Sequence, residues 1–367
     1  MRKIFILVPS FSPTGPVKGA VALANALATE RPTTLVAVKP GPGVEAPINP
    51  AVAVRTLGGG VRAVRAYRAM LEEAGGRSSV ASISYCLSAD AVNLMCRRAA
   101  VTCSSVRGNL PRNYRMDYGP KGLPLALAHL TALRGLDHVA AMTASMARQV
   151  APFCGQMPVV IGNFIDEPAV ERFRATEARA GEWRFAFVGS LSRRKQAHLV
   201  LHAAAALLSA GHDVRVDLIG EGPLRADLQA EIRSLGLGDR AVLHGHLAEP
   251  WPLLAAADAM VLPSLSEGMS RAVLEALHLG VPCVLRNVDG NAEVVTPGVN
   301  GTLFTDDAEC AAAMERAAIL SRSLPPGRKS LLPANCRQSE AARRMLALVE
   351  TGHGAAAEAA ETEIRKA

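Results

Sequence analysis

The sequence predicts an α/β protein with two doubly wound parallel-sheet domains of similar size. Short apolar segments, which predict buried strands, alternate with helical segments, and this alternation is typical of βαβ units. The alternation pauses at a charged stretch over residues 167–182 and then starts again. We therefore predict a first domain over 1–166, a linker over 167–182 and a second domain over 183–335. A chain of 367 residues is long enough for both domains.

The first domain begins with a strand and continues as strands and helices, separated by loops rich in Gly, Pro and Ser. The predicted strands lie at 4–8, 35–38, 80–85, 100–104 and 139–142, the predicted helices at 20–29, 61–73 and 123–133, and a loop at 10–19. The second of these helices is basic and amphipathic, with Arg62, Arg65 and Arg68 expected on one side.

The second domain repeats the pattern, and its last predicted strand leads into a loop and a further helix. The predicted strands lie at 185–188, 214–219, 241–243 and 260–262, and the predicted helices at 197–209, at 224–235, from about 269, and at 339–350. Residues 351–367 are rich in Ala and Glu, and we expect them to form a loose tail.

The composition argues against a membrane-spanning segment and against a metal site. No apolar run approaches the roughly 20 residues that a membrane helix needs. The run at 4–8 is too short for a signal peptide, because Pro9 and a loop follow it at once. The seven cysteines are scattered and never spaced C-x-x-C, which predicts reduced thiols, a cytoplasmic protein and no zinc site.

The net charge of +7 is distributed unevenly along the chain. Residues 1–165 carry 18 Lys and Arg against 7 Asp and Glu, whereas residues 166–367 carry 22 against 26. A basic first half suits nucleic acid, an anionic membrane surface or phosphorylated substrates. Aromatic residues make up only 4% of the chain, and nucleic-acid-binding motifs are missing, so we expect no nucleic acid partner.

The stretch from Val261 to Leu277 predicts a strand, a turn-rich loop and the start of a helix. Glu267 lies just before the helix, and Glu275 lies eight residues later, about two helical turns. The start of a helix favours an anion, because its unpaired N–H groups and its dipole point at the ligand. Two carboxylates beside a phosphate-sized space suit a nucleotide sugar. On this stretch alone, a solvated surface helix is an equally good interpretation.

The flanking motifs decide between these interpretations. The letters E-G-M-S-R-A-V-L-E resemble the E-x7-E element of the retaining glycosyltransferases of family 4, which have the GT-B fold. In the same order, 187–195 resembles V-G-R-L-S-x-x-K-G, 218–224 resembles G-D-G-P-L, 244–246 resembles the following strand end, 288–295 resembles D-V-G-G-x-P-E-I-V, and 298–304 resembles G-x-N-G-x-L-F.

This resemblance implies a GT-B architecture of two Rossmann-like domains that face a central cleft. The first domain would hold the acceptor and the second the nucleotide-sugar donor. The helical segment at 336–350 would pack back on the first domain, as the last helix does in this family.

The resemblance also implies roles for residues of the second domain. Lys195 would grip the donor diphosphate, and Arg194 is the candidate that replaces the arginine of the family motif, since Ser190 stands at that position. Glu267 would orient the hydroxyls of the donor sugar, and Glu275 would hold the ribose diol.

Further residues of the second domain would contact the nucleotide by backbone or turn geometry. The helix start at Gly268, Met269 and Ser270 would face the phosphate. Gly222 would shape the turn that places the base pocket. The strand end at His244 would present backbone groups to the base.

In the first domain the resemblance is looser. Gly15 corresponds to the glycine-rich loop after the first strand, whose backbone meets the diphosphate in the family. Arg107 stands where many members have a histidine that contacts the transferred sugar. Arg107 has two interpretations, which are a contact with an anionic donor or acceptor and a structural salt bridge to Asp117 or another carboxylate. Members that build bacterial surface polysaccharides carry similar stretches at both places.

The resemblance thus implies retaining transfer of a sugar from a UDP- or GDP-linked donor to a glycan or lipid-linked saccharide. The catalytic candidates are Glu267, Lys195, Arg194 and Arg107. No D-x-D motif follows an apolar strand, so we expect no metal and no cofactor beyond the donor substrate. The expected location is the cytoplasm or the inner face of its membrane, where the basic first domain would contact anionic lipid.

Other function classes stay open. A soluble small-molecule acceptor is the main rival to a lipid-linked one. A nucleotide-sugar epimerase or a phosphorylase of the same fold would carry out another reaction. A non-catalytic nucleotide-sugar binding subunit is the third possibility, and the departures at Ser190 and Arg107 are its support.

Overall fold

The structure is a computed structural model that describes residues 1–12, 14–44, 47–175, 181–325, 327 and 329–351, without the side chain of Asp117. The chain divides into two compact units. The first unit combines Met1–Ile165 with the segment that begins at Ala334, and the second unit is Asp166–Pro333. Beyond Thr351, the predicted tail lies outside the described residues.

A parallel sheet of seven strands, in the order β3-β2-β1-β4-β5-β6-β7, forms the first unit. The strands are β1 Lys3–Val8, β2 Thr33–Ala37, β3 Val52–Thr56, β4 Val80–Ser84, β5 Val101–Val106, β6 His138–Ala141 and β7 Val159–Val160. Ile6 of β1 is paired with Leu35 on one side and with Ile83 on the other. The middle strands are almost continuously apolar because a parallel sheet is covered by helices on both faces.

Helices cover the two faces of this sheet. They are α1 Gly15–Leu27, α2 Gly60–Glu73, α3 Leu87–Met95, α4 Leu110–Tyr118, α5 Gly122–Leu133, α6 Ala144–Cys154 and α13 Gln338–Thr351. Ile4 and Ile6 point to the core that Leu23 of α1 shares with Met345 of α13. The alternate residue Phe5 points to the core on the other face, beneath α2. The last helix therefore packs within the first unit.

The sequence prediction for the first unit places the start of α1 too late and omits α3, α4, α6, β3 and β7. The segment 10–19 is predicted as a loop, but α1 already begins at Gly15. Pro16 lies in the first turn of α1, and Pro111 lies in the first turn of α4, which the prediction omits. Proline suits the first turn of a helix because the N–H that it lacks has no partner inside the helix there. The same residues resemble a loop when only composition is considered.

The second unit contains a parallel sheet of six strands in the order β10-β9-β8-β11-β12-β13. The strands are β8 Trp183–Val188, β9 Val214–Ile219, β10 Ala241–Gly245, β11 Ala259–Leu262, β12 Cys283–Arg286 and β13 Gly301–Phe304. The helices are α7 Glu167–Glu171, α8 Ala197–Ser209, α9 Arg225–Ser234, α10 Trp251–Ala256, α11 Arg271–His278 and α12 Cys310–Ser323. Helix α7 lies in the stretch predicted as a linker, of which 176–180 are outside the described residues.

Both sheets are doubly wound, so the two-domain parallel α/β prediction is confirmed. The direction in which strands are added reverses between β1 and β4 in the first unit and between β8 and β11 in the second. Ligands of such sheets bind in the crevice outside the carboxyl ends of the strands at this reversal. The loops after β8 and β11 are therefore where we expect a ligand to bind in the second unit.

The structure also bears on the cysteines and on membrane-spanning helices. All seven cysteines are free thiols, and burial raises the pKa of the Cys310 thiol to about 12. Within the part of the chain that the structure describes, no helix combines the length and the apolarity needed to cross a membrane.

Candidate functional site

The loop after β8 is held in place by the loop after β9. The backbone N–H of Leu191 donates to the carbonyl of Glu221 at 2.9 Å, and the N–H of Leu224 donates back to the carbonyl of Leu191 at 3.1 Å. Gly222 lies so close that a Cβ there would be 2.3 Å from the Leu191 carbonyl oxygen. A glycine is thus required for backbone packing, and Gly222 supports the loop after β8.

Two cations of the loop after β8 reach the loop after β11. The Nζ of Lys195 donates a short hydrogen bond to Oε1 of Glu267. Nη1 of Arg194 donates to the Ser266 carbonyl at 2.9 Å and lies 3.3 Å from the same Oε1. The backbone also joins the loops, since the N–H of Leu265 donates to the Arg194 carbonyl at 2.9 Å. Three of the predicted catalytic residues therefore meet at the reversal of the second sheet.

This cluster is largely shielded from water. The side chain of Lys195 is 11% exposed and that of Glu267 is 8% exposed. Charges at such sites interact more strongly than in bulk water, and each would be costly to bury alone. The cluster is therefore preformed, with two cations on one carboxylate, and its excess positive charge lies where an incoming anion would bind.

Asp289 positions Glu267 and is a residue that the sequence analysis missed. Its Oδ2 accepts hydrogen bonds from the Glu267 N–H at 3.0 Å and from the Ser266 hydroxyl at 2.8 Å. Asp289 follows β12 and adopts a φ of +46°, which Asp tolerates better than most residues. Its sequence signal was its place in the motif at 288–295, to which no site role was assigned.

The helix that follows Glu267 begins slightly later than predicted. Ser270 is the N-cap residue and α11 begins at Arg271, so Gly268 and Met269 belong to the loop and not to the helix. The Ser270 side chain makes no capping hydrogen bond to the first turn. Because the first N–H groups of a helix have no partner inside it, an external acceptor is favoured at this end.

Glu275 lies on the second turn of α11, and its side chain is 13% exposed. One carboxylate oxygen is 4.0 Å from Nη2 of Arg271, which is one turn earlier on the same helix. The Glu275 carboxylate is thus close to the uncapped helix start, next to a cation that the sequence analysis did not select.

Ser190 and His244, which we predicted to contact the nucleotide, interact with other side chains of the second unit. Ser190 is exposed, and its hydroxyl is 3.3 Å from that of Ser192, so it brings no charge to the site. Nε2 of His244 lies 2.6 Å from a carboxylate oxygen of Asp217 on the neighbouring strand. The backbone after His244 also contributes to the sheet edge, since the Gly245 carbonyl accepts from the Gly220 N–H at 2.8 Å.

Arg107 lies near the reversal of the first sheet, just after β5. Its Nη1 donates to Oδ1 of Asn163 at 2.7 Å and lies 3.3 Å from the Met142 sulfur. Its guanidinium carbon is 4.6 Å from the centre of the Tyr85 ring, which follows β4. Among the ion pairs of the described residues, none includes Arg107, and the alternative partner Asp117 has its side chain outside the described part.

Gly15 is the first residue of α1 and is exposed. A Cβ at this position would meet nothing within 4 Å, so packing does not require a glycine. The position is at the helix start that follows β1, on the edge of the sheet where the first unit would accept a ligand.

No arrangement typical of a resident metal is found in the ranges that the structure describes, since no three His, Cys, Asp or Glu side chains come together in a suitable group. Metal independence remains a prediction, because the donor diphosphate could itself bring a metal ion.

Residues 170–326, nearly all of the second unit, match the family model described as glycosyl transferases group 1. The second unit therefore carries the domain of this family. The fold agrees, since the crystal structure of Anabaena HepE in complex with UDP and glucose superimposes with a TM-score of 0.75. That match covers 96% of this chain and 100% of the other at 17% sequence identity. The GT-B fold and the resemblance to GT-B glycosyltransferases are thereby confirmed.

Curated relatives match over shorter segments. The chain is 33% identical over 111 residues to the 2-deoxystreptamine glucosyltransferase of Streptomyces kanamyceticus, covering 30% of this chain and 29% of that protein. It is 36% identical over 114 residues to the GDP-mannose-dependent alpha-(1-6)-phosphatidylinositol dimannoside mannosyltransferase of Mycobacterium tuberculosis, covering 29% and 28%. The matched segments thus span less than a third of either relative.

Proposed function

We propose that this chain is a retaining glycosyltransferase of family 4 that transfers a sugar from a nucleotide diphosphate donor. The supporting observation is the buried cluster of Lys195, Arg194 and Glu267 at the reversal of the second sheet. The family motifs assign Lys195 to the donor diphosphate and Glu267 to the sugar, and Arg194 is the candidate for the arginine that the motif lacks here. Their contact joins two motifs that are far apart in the chain.

The cluster suits the departure of a diphosphate. Negative charge builds up on the leaving group, and preorganised cations in a shielded site stabilise it without reorganisation. Lys195 and Arg194 supply those cations, and the uncapped start of α11 supplies N–H donors. When a diphosphate binds, it shares the cations that Glu267 holds in its absence.

One carboxylate oxygen of Glu267 is available to the donor sugar. Its Oε1 accepts from Lys195, whereas Oε2 takes part in no hydrogen bond among the described residues. Oε2 is thus available to accept hydrogen bonds from sugar hydroxyls. A second carboxylate acting as nucleophile, as in retaining glycoside hydrolases, is not part of this proposal. Front-face attack, in which the leaving phosphate takes the proton of the acceptor, is the mechanism that the resemblance implies.

The donor would be linked to UDP or GDP. HepE was crystallised with UDP and glucose, and the mycobacterial relative is described as GDP-mannose-dependent. Both bases therefore occur among proteins similar to this one, and a hexose is the sugar that we propose.

For the acceptor we propose a glycan or a lipid-linked saccharide. Arg107 is held by neutral groups and so keeps its charge for an anionic ligand such as a lipid-linked diphosphate. The mycobacterial relative is named for a phosphatidylinositol dimannoside, whereas the Streptomyces relative is named for 2-deoxystreptamine, a small molecule. A soluble small-molecule acceptor is therefore the second candidate. The free thiols support a location in the cytoplasm.

A thermal-shift screen against UDP, GDP, ADP, dTDP and CMP and their common sugars tests the donor part. A ligand at a hundredfold excess over its Kd stabilises by about 2.7 kcal/mol, which gives a clear rise in Tm. We expect one nucleotide to raise Tm, and Lys195→Ala to abolish the rise. If no nucleotide raises Tm, the proposal of a nucleotide-sugar-dependent enzyme is wrong.

Turnover separates an enzyme from a binding subunit. Glu267→Gln keeps an oxygen that can accept from Lys195 but removes the carboxylate. An enzyme should lose transfer and keep the nucleotide-dependent rise in Tm. A binding subunit should show no transfer in the wild type, with any acceptor of a glycan, lipid-linked or aminocyclitol panel.

A further inference from the structure

The outer faces of α4 and α5 expose large apolar side chains. They are Met116 at 41%, Tyr118 at 58%, Leu123 at 59% and Leu127 at 55% exposure. We name these four residues and the exposed side chains around them the α4–α5 surface. Contiguous exposed apolar patches are rare on soluble proteins and mark contact with a partner or a membrane.

The inner face of α5 is buried in the core of the first unit. Ala126, Leu130 and Leu133 are buried there. His129, also on the inner face, lies 2.7 Å from the buried Asp90 carboxylate and 3.0 Å from the Tyr114 hydroxyl. This buried network anchors α5, and Leu123 and Leu127, which are more than half exposed, are not part of it.

The corner between α4 and α5 is tight and rigid. A Cβ at Gly122 would lie 1.9 Å from the Tyr114 carbonyl oxygen, so only glycine allows the two helices to approach this closely. Tyr118 stacks on Tyr114, with ring centres 5.9 Å apart. The apolar side chains of the two helices are therefore held as one patch.

Exposed cations lie on α4, between α4 and α5, and directly after α5. Arg112, Arg115, Lys121 and Arg134 are exposed, and within the described part of the chain none of them takes part in an ion pair. Between 91 and 136 the sequence contains one acidic residue, Asp117. α5 itself, G-L-P-L-A-L-A-H-L-T-A-L, has no Asp, Glu, Lys or Arg. An apolar centre with a basic rim matches the acyl boundary and the anionic headgroups of a bilayer.

The basic helix α2, which belongs to the first domain that we expected to contact anionic lipid, lacks this combination. Arg62, Arg65 and Arg68 are exposed as predicted, but Glu72 and Glu73 are exposed on the same helix. Arg68 also donates to the Met95 carbonyl at 2.7 Å. Val61 is the large apolar side chain that α2 exposes in the described chain, so α2 offers charges of both signs around one apolar residue.

We propose that the α4–α5 surface binds the interface of an anionic bilayer, with Leu123 and Leu127 below the headgroups and the four cations at the level of the lipid phosphates. A second copy of the chain is a poorer occupant. A two-fold interface would place the same cations opposite each other, and like charges across an interface repel. The proposal goes beyond sugar transfer, and its test measures no turnover.

Co-sedimentation of the full chain with vesicles tests the proposal. Vesicles of phosphatidylglycerol and phosphatidylcholine are compared with vesicles of phosphatidylcholine alone, at low and at high salt. We expect binding to the anionic vesicles at low salt that weakens as salt is added, because salt screens the cations. If the wild-type protein does not bind anionic vesicles at low salt, the proposal is wrong.

Paired variants locate the contact. Leu123→Ser with Leu127→Ser should lower the partition coefficient by about tenfold for each leucine. Arg112→Gln with Arg115→Gln should lower it by about fivefold for each arginine. The matched controls are Ile319→Ser, an exposed apolar residue of the second unit, and Arg62→Gln with Arg65→Gln on α2. We expect the controls to bind like the wild type.

Two results would overturn the proposal. One is that the α2 pair lowers binding while the leucine pair does not. The other is that the leucine pair converts a dimer into a monomer in light scattering and leaves vesicle binding unchanged, because a second copy would then cover the surface. All variants should keep the wild-type Tm, since these side chains are exposed, and the nucleotide-dependent rise in Tm, so that failure here is distinct from failure of the proposed function.

Discussion

The two units have the same doubly wound sheet but surround the cations at their reversal points differently. In the second unit, Lys195 and Arg194 contact the carboxylate of Glu267, which lies on the loop after the neighbouring strand β11. In the first unit, Arg107 is held by the Asn163 amide and the Tyr85 ring, which are neutral. The nature of the partner predicts the role of each cation. A cation balanced by a carboxylate shares its charge with a ligand, whereas one held by neutral groups offers its full charge.

The largest expected effect is on Glu267. Glu267→Gln should lower kcat by about a hundredfold or more, since it removes a charge that acts on the reacting sugar in a shielded site. The nucleotide-dependent rise in Tm should remain. Steady-state kinetics measures the first effect and a thermal melt the second. The control is Glu221→Gln, whose carboxylate is half exposed, and which should leave kcat unchanged. Wild-type turnover in Glu267→Gln would remove Glu267 from the mechanism.

Arg194 and Arg193 form a matched pair of neighbours. Arg194 reaches the Ser266 carbonyl and Glu267, whereas Arg193 is exposed and directed to solvent. Arg194→Ala should raise the donor Kd by about 10- to 100-fold, the range for a lost hydrogen bond to a charged group. Isothermal titration with the nucleotide measures the Kd. Arg193→Ala should change it little, and equal effects of the two variants would contradict the assignment of Arg194.

Asp289 tests whether positioning of Glu267 matters by itself. Asp289→Ala removes the acceptor of the Glu267 N–H and places a strained Ala at positive φ, so we expect kcat to fall by about tenfold. Asp289→Asn keeps one oxygen acceptor and tolerates the same φ, so it should restore most of kcat. A purely structural role would instead lower Tm in both variants and leave kcat per folded molecule unchanged.

The smallest expected effect is specific to the acceptor. Arg107→Lys keeps the charge but loses the planar contact with Tyr85 and the fork geometry for phosphate, so it should raise the acceptor KM by about fivefold. The donor Kd should not change, because we assign Arg107 to the acceptor. An equal change in the donor Kd and the acceptor KM would contradict the assignment of Arg107 to the acceptor.

The sequence predicted nine of the thirteen described strands, because buried parallel strands are short, apolar and bounded by Gly and Pro, but it did not predict β3, β7, β12 and β13. Every predicted strand is present, with ends shifted by two residues or fewer. Helices that begin with proline, or that are short and mixed in composition, were harder. The start of α1 at Gly15 and the whole of α4 show that composition alone does not separate a loop from a first helical turn.

The candidate site shows the same limit. The motifs selected Lys195 and Glu267, whereas Asp289 lies in the motif at 288–295 without a role that its residue type or spacing could reveal. Its function depends on one backbone N–H of another loop, at a distance of 3.0 Å. Side chains that act through backbone groups of distant loops leave no pattern in a single sequence.

The sequence by itself determined the fold class, the repeat of two doubly wound sheets and the residue types available for a diphosphate. These follow from local patterns of apolar, turn and charged residues. Only the tertiary structure decided that Glu267 shares its carboxylate oxygen with Lys195 and Arg194, and that α5 leaves an apolar face exposed inside a basic rim. Such contacts depend on which strands become neighbours and on which face of each helix is buried in the core. Both are set by the packing of segments that are distant in the chain.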